Sequence, residues 1–150
     1  MLENELGPGT LNWEGTLYKT VLTLDDSGGA MTITDSVSPI GSGPPMHIHH
    51  AEDEAFFVIS GEIEFSLAGR RFRKGPGDAA FVPRGVEHTF TVVGDKPCRH
   101  LVILTPGGFE GFFAEMAKGQ FRIPQDMDQV QQSAQRHNLE FTGPPISPRL

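Results

Sequence analysis

The chain has 150 residues, 37% of them hydrophobic, with 12 basic against 19 acidic side chains and a net charge of −7. This length and apolar content suffice for one hydrophobic core and argue against two. The acidic balance excludes a phosphate backbone or an anionic membrane face as the natural partner, and a lone cysteine, Cys98, excludes an intrachain disulfide and points to a reducing compartment.

The N-terminal segment, Met1-Leu-Glu-Asn-Glu-Leu-Gly-Pro, lacks the basic start and apolar run of a signal peptide. No apolar stretch approaches the roughly 20 residues of a membrane-spanning helix, so a cytoplasmic location is expected. Short alternating runs between turn signals then predict an all-β antiparallel sandwich or barrel. Residues 17–24 and 30–37 form the first expected pair, joined through Asp25-Asp-Ser-Gly-Gly29. Residues 55–59 and 62–67 form the second, turned at Ser60-Gly61, the kind of two-residue link a tight hairpin prefers. Further strands fit 70–73, 79–82, 87–93 and 99–104. The 18 glycines and 12 prolines punctuate these runs and are read as corners.

After Thr105-Pro-Gly-Gly108 the period changes. Phe109, Phe112, Phe113 and Met116 make the stripe of an amphipathic helix, which either packs on the barrel or also walls a ligand cavity. A second helix is expected from Asp126 or Asp128 to about His137, with an aspartate able to cap its start. Gly143-Pro-Pro145 ends regular structure. The expected organisation is one domain over 1–150, with a barrel over about 15–105, a helical extension over about 108–138 and a tail over 139–150.

The chemistry concentrates in His47, His49, Glu54 and His88. In an extended strand alternate side chains share a face, so His47 and His49 can point to one interior while His50 points away. Glu54 lies an odd step from His49 and rejoins that interior only if the chain turns at Ala51-Glu52-Asp53. Three imidazoles and one carboxylate suit one divalent first-row ion, namely iron, manganese, nickel, cobalt, copper or zinc, and fit calcium or magnesium poorly. Glu52 and Asp53 are read as turn carboxylates. His50, His100 and His137 are given surface or packing roles. Arg70, Arg71, Arg73 and Lys74 are read as a solvated edge strand.

Gly41, His47, His49, Glu54 and Gly61, followed by Gly77, Pro83, Gly85 and His88, stand at the spacings of both signatures of the cupin superfamily, which the chain resembles. Val92 replaces the asparagine that closes the second signature. Beyond these motifs, Trp13-Glu-Gly15, Gly43-Pro-Pro-Met-His-Ile-His49, Glu54-Ala-Phe-Phe-Val-Ile-Ser-Gly-Glu62, Thr105-Pro-Gly-Gly-Phe-Glu-Gly-Phe-Phe113 and Gly143-Pro-Pro145 resemble small single-domain bacterial cupins similar to quercetin 2,3-dioxygenases. The resemblance implies a double-stranded β-helix, or jelly-roll, barrel with one or two C-terminal helices. It also implies a homodimer, for which residues 17–24 are the candidate edge strand.

Counting in twos from Glu54 and His88 brings Phe56, Val58, Phe90 and Val92 inward, with Phe65 and Phe81 able to join them. These residues either line an apolar substrate chamber or fill a small barrel. The resemblance implies an oxidoreductase, a dioxygenase acting on a small hydrophobic or aromatic enol or flavonol-like substrate, with Glu54 as both metal ligand and catalytic base. The alternatives are a non-redox metal-dependent isomerase, cyclase or lyase, and a small-molecule-binding protein without catalysis.

Overall fold

The computed structural model describes residues 6–149. Residues 1–5, part of the stretch read for a leader, and Leu150 lie outside the described residues. Among those described, the chain order is β1 (Leu11–Trp13), β2 (Thr16–Leu22), β3 (Thr32–Ser38), β4 (Met46–His49), β5 (Asp53–Ser60), β6 (Glu62–Leu67), β7 (Arg70–Lys74), β8 (Ala79–Val82), β9 (His88–Val93), β10 (Cys98–Thr105), α1 (Glu110–Gly119), α2 (Met127–Arg136) and β11 (Leu139–Gly143). The strands form two antiparallel sheets, ordered β1-β2-β3-β10-β5-β8 and β11-β4-β9-β6-β7. This is the expected jelly-roll barrel with two C-terminal helices.

Alternation along each strand places the core between the sheets. Phe56, Val58, Val102 and Leu104 come from one sheet, and Ile63, Phe65 and Val92 from the other. Residues 55–59 and 62–67 do not pair as the expected hairpin: β5 and β6 belong to different sheets, and the chain crosses from one to the other at Gly61, whose φ is 85°. A Cβ there would also lie 2.5 Å from the Pro97 carbonyl oxygen, so only glycine lets the turn close against the loop before β10. Gly43 allows a second close approach, since a Cβ at that position would lie 1.8 Å from the Phe90 carbonyl oxygen. The segment leading into β4 is thereby laid against β9, and the Thr89 hydroxyl secures it by donating to the Pro44 carbonyl at 2.6 Å.

Several expectations need correction. Residues 139–143 are a strand, not a tail: Leu139 pairs with His49 and Phe141 with His47, closing one edge of the five-stranded sheet. β2 is not an edge over its first residues, because Leu11–Trp13 pairs with Thr16–Tyr18, so the strand proposed for homodimer pairing is covered there. Asp126 makes no side-chain cap on α2. Its carboxylate instead accepts the Arg122 backbone N–H at 2.8 Å. No helix among the described residues is long and apolar enough to cross a membrane.

The helix stripe packs as its spacing predicts, with Phe112 and Met116 buried and Phe112 edge-on to Trp13 at 5.9 Å between ring centroids. Arg70–Lys74 does form a sheet edge. It is not simply solvated, however, because Arg71 and Arg73 both bond the buried carboxylate of Glu64.

Candidate metal centre

Three neighbouring strands bring the four predicted donors together. β4 supplies His47 and His49 on one face, and β9 begins with His88 directly opposite His47. The chain bends after His49, and β5 returns Glu54 to the same interior. All four residues are buried, and one donor atom from each lies within 4.8 Å of all the others. The His47 and His88 rings are 4.3 Å apart between centroids.

Hydrogen bonds decide which nitrogen each imidazole presents. His47 Nδ1 donates to the Pro45 carbonyl at 2.8 Å, and His88 Nδ1 donates to the Val86 carbonyl at 3.0 Å. A carbonyl only accepts, so in each neutral ring the hydrogen is on Nδ1 and Nε2 carries the lone pair. Yet His88 Nε2 stands 2.9 Å from Glu54 Oε1, and His49 Nε2 stands 3.6 Å from the same oxygen. Two acceptors at hydrogen-bond distance need a proton or a cation between them. A divalent transition ion fits this donor set, because it takes neutral imidazole nitrogen and carboxylate oxygen together.

The electrostatics agree. Burial, with His88 and His49 beside it, pushes His47 down to about 3, so its ring is neutral. Burial works against charge on Glu54, but the surrounding His49, His88 and His47 outweigh it and bring its carboxyl down to about 2. Burial also acts to lower His88, and the Glu54 carboxylate overrides it and raises the ring's affinity for a proton. The cluster is therefore an ionised carboxylate beside a neutral His47 and a His88 whose proton affinity it raises.

Glu52 lies in the bend, as expected of a turn carboxylate, but it is folded inward. It is only 6% exposed, and its Oε1 faces His49 Nδ1 at 3.7 Å, with neither atom otherwise hydrogen-bonded among the described residues. It thus sits where an outer carboxylate orients a ligating imidazole. Asp53 does turn outward, accepting the Arg84 backbone N–H at 2.9 Å.

The cluster opens into a cavity of about 360 Å³, at the lower end of the roughly 300–1,000 Å³ usual for small-molecule sites. His47, His49 and Glu54 line one part of it, and its walls include Phe56, Phe90, Phe109, Phe113 and Phe141. Of the pocket residues expected, Phe56 and Phe90 line this space. Val58, Phe65 and Val92 point inward but are packed in the core at 1% exposure and do not line it. Phe81 is contradicted outright. Ala80 and Val82 take the inner face of β8, leaving Phe81 outside at 58% exposure.

Sequence reasoning missed Trp13, Tyr18, Ser36, Ser38 and His100 in the lining. No local signal marks the serines, and Trp13 and Tyr18 belong to strands whose inner face emerges only on pairing. His50 is exposed and bonds Glu140 at 2.8 Å, as its outward parity requires. The α1 phenylalanines do wall the cavity as well as pack.

With fold and site in view, the class of the barrel is defined: residues 36–104 match the cupin domain. Among known proteins, it is 31% identical over 104 residues to quercetin 2,3-dioxygenase from Aspergillus japonicus, covering 65% of this chain and 29% of that one. It is 42% identical over 66 residues to dimethylsulfoniopropionate lyase DddQ from Ruegeria pomeroyi, covering 43% of this chain and 32% of the lyase. Among solved structures, it superposes on the polyketide cyclase RemF from Streptomyces resistomycificus with a TM-score of 0.54 and 27% identity, over 65% of this chain and 68% of that one. The chain thus spans about a third or less of the length of these two curated relatives.

Proposed function

We propose that this protein is a metal-dependent dioxygenase acting on a small hydrophobic or aromatic substrate that carries an enol or flavonol-like hydroxyl. The observation that carries this reading is a buried three-histidine, one-carboxylate cluster opening directly into an aromatic cavity. A divalent transition ion held by His47, His49, Glu54 and His88 would supply Lewis acidity and, where it is redox-active, a route for electrons to dioxygen.

The protein's own groups supply the rest. The aromatic walls bind a planar guest and exclude water, which strengthens every charge interaction inside. Glu54 is ionised and borders the cavity, so its carboxylate can take the hydroxyl proton of a substrate seated at the cluster. Loss of that proton leaves an electron-rich enolate, the form of the ring that dioxygen attacks. His47 and His88, tied through Nδ1 to backbone carbonyls, keep their Nε2 lone pairs directed at the centre.

Similarity to a lyase and a cyclase favours, as a second reading, non-redox chemistry at the same centre. Oxygen uptake separates the two. The protein is stripped of metal, reloaded separately with iron, manganese, cobalt, nickel and copper, and assayed with quercetin and a simple β-diketone, with His49→Ala as the blank. Uptake with one metal that vanishes in the blank supports the dioxygenase. No uptake with any metal sinks it for these substrates and leaves the non-redox enzyme or a non-catalytic binding protein.

A further inference from the structure

The cavity holds a second polar row that the proposed chemistry does not use. Strand register sets Tyr18 beside Ser36 and Ser36 beside His100. Ser38 follows two residues on from Ser36, and all four residues line the cavity. His100 and Ser36 are only 2% and 0% exposed. His100 Nε2 and Ser38 Oγ are hydrogen-bonded at 3.1 Å. His100 Nδ1 and Ser36 Oγ, in contrast, have no hydrogen-bond partner among the described residues. Buried polar atoms left unpaired destabilise a fold, so two of them side by side in a cavity wall point to a ligand group that completes them.

The row's chemistry selects the ligand. Burial pushes His100 down to about 4, so near neutral pH its ring offers one N–H and one lone pair. The Ser38 hydroxyl can donate to Nε2 or accept from it, which leaves Nδ1 free to meet either a donor or an acceptor. Burial likewise raises the Tyr18 phenol above its ordinary range and keeps it protonated. Phe56 and Phe90 flank the imidazole, with ring centroids 6.1 and 5.5 Å away. No arginine or lysine lies among the lining residues, so the row has no counter-charge for a carboxylate or a phosphate. Glu54 pairs with Leu104, four residues along β10 from His100. At ~3.3 Å per residue that is a span of ~13 Å, which suits a molecule of two or three aromatic rings.

We infer that Tyr18, Ser36, Ser38 and His100 form a second recognition subsite, which hydrogen-bonds an uncharged hydroxyl or carbonyl on the far end of an aromatic substrate whose near end sits at the four-donor cluster. The inference rests on the reading of this cavity as the substrate site. It does not depend on the reaction being an oxygenation.

The test uses binding alone. Trp13 is the only tryptophan in the chain and lines the cavity, so its fluorescence reports occupancy. Quercetin, 3-hydroxyflavone (which lacks the distal hydroxyls) and a flavone with a distal carboxylate are titrated into the intact protein, its Ser36→Ala and Ser38→Ala variants, and His100→Phe. Quercetin is expected to bind about tenfold or more tighter than either of the others. His100→Phe and Ser36→Ala should abolish that preference while changing the 3-hydroxyflavone affinity by no more than about twofold. The serine variants keep the test valid should His100→Phe fold poorly. Equal weakening of both flavonols, an unchanged preference in the variants, equally tight binding of the carboxylate, or no binding of quercetin each overturns the subsite. A preference that persists without oxygen uptake overturns the dioxygenase and leaves the subsite standing.

Discussion

Two buried glutamates on strands of opposite sheets, β5 and β6, make opposite use of the same side chain. Glu54 is 5% exposed and Glu64 is 2% exposed. Both carboxyls titrate below their ordinary value although burial opposes their charge. Glu64 meets its charge from within the chain: Arg71 and Arg73 bond it, the latter at 2.9 Å, and the Arg149 backbone N–H donates to it at 3.1 Å. Glu54 faces imidazole nitrogens whose hydrogens are committed elsewhere. Burial and a lowered pKa are therefore shared by a structural ion pair and a functional site, and what separates them is whether the chain itself supplies the opposing charge. At Glu54 no guanidinium or ammonium does so, and the opposing charge has to be a proton taken up by an imidazole such as His88 or a bound cation.

The largest expected effect breaks that contrast directly. Glu54→Gln should weaken binding of a divalent transition ion by more than ~100-fold, beyond the roughly 10–100-fold cost of losing an outer partner. Glu64→Gln should leave it unchanged within error, as read by competition with a chromogenic chelator. A comparable loss in both variants would mean that Glu64 acts through the fold and that the contrast is false.

Glu52 sharpens the comparison from the outside. Removing it in Glu52→Ala should cost about 10–100-fold in metal affinity by freeing His49, with Glu52→Gln recovering part of the loss. Cobalt-loaded protein offers a second readout, since a reoriented His49 would shift its visible absorption.

Stability should rank the other way. In Glu64→Ala the guanidinium of Arg71 and the Arg149 N–H lose their shared acceptor, which should cost about 1–3 kcal/mol in urea unfolding. The metal-free Glu54→Gln protein should lose less, or gain, because it no longer buries an ionised carboxylate that lacks a permanent cationic partner. Acid should strip the Glu64 contribution as well. A carboxyl with a depressed folded pKa stabilises above its unfolded value and loses that stabilisation as pH falls through the folded one.

The last effect, spread over a range of pH, concerns the buried histidines. His100 titrates near 6.5 when unfolded and at about 4 when folded, so between those values the unfolded chain binds more protons and lower pH favours unfolding. This contributes a slope of up to ~1.4 kcal/mol per pH unit. His100→Phe should flatten the acid limb of the stability curve of the metal-free protein by that amount. His47, also held neutral by burial, keeps a similar contribution in the variant.

The metal donors were legible because their relation is local: His47 and His49 obey strand parity, and the bend before Glu54 is written in the short Ala51-Glu52-Asp53 run with its two carboxylates. The helix stripe from Phe109 to Met116 was legible for the same reason. Phe81 was misplaced because parity tells which residues share a face but not which face is inside. On β8 the smaller Ala80 and Val82 won the interior. Glu52 was read only as a turn residue because nothing in its neighbourhood reveals that the bend folds it back under His49.

By itself, the sequence determined the alternation that makes strands, the glycines that turn them, and a donor set whose spacing already implies a metal. Short-range backbone geometry is enough for each of these. Tertiary structure alone decided that residues 139–143 complete a sheet, that α1 walls a cavity, and that Ser36, Ser38 and His100 share its lining. Each depends on which distant strands pair and in what register, and that is settled only when the whole core packs.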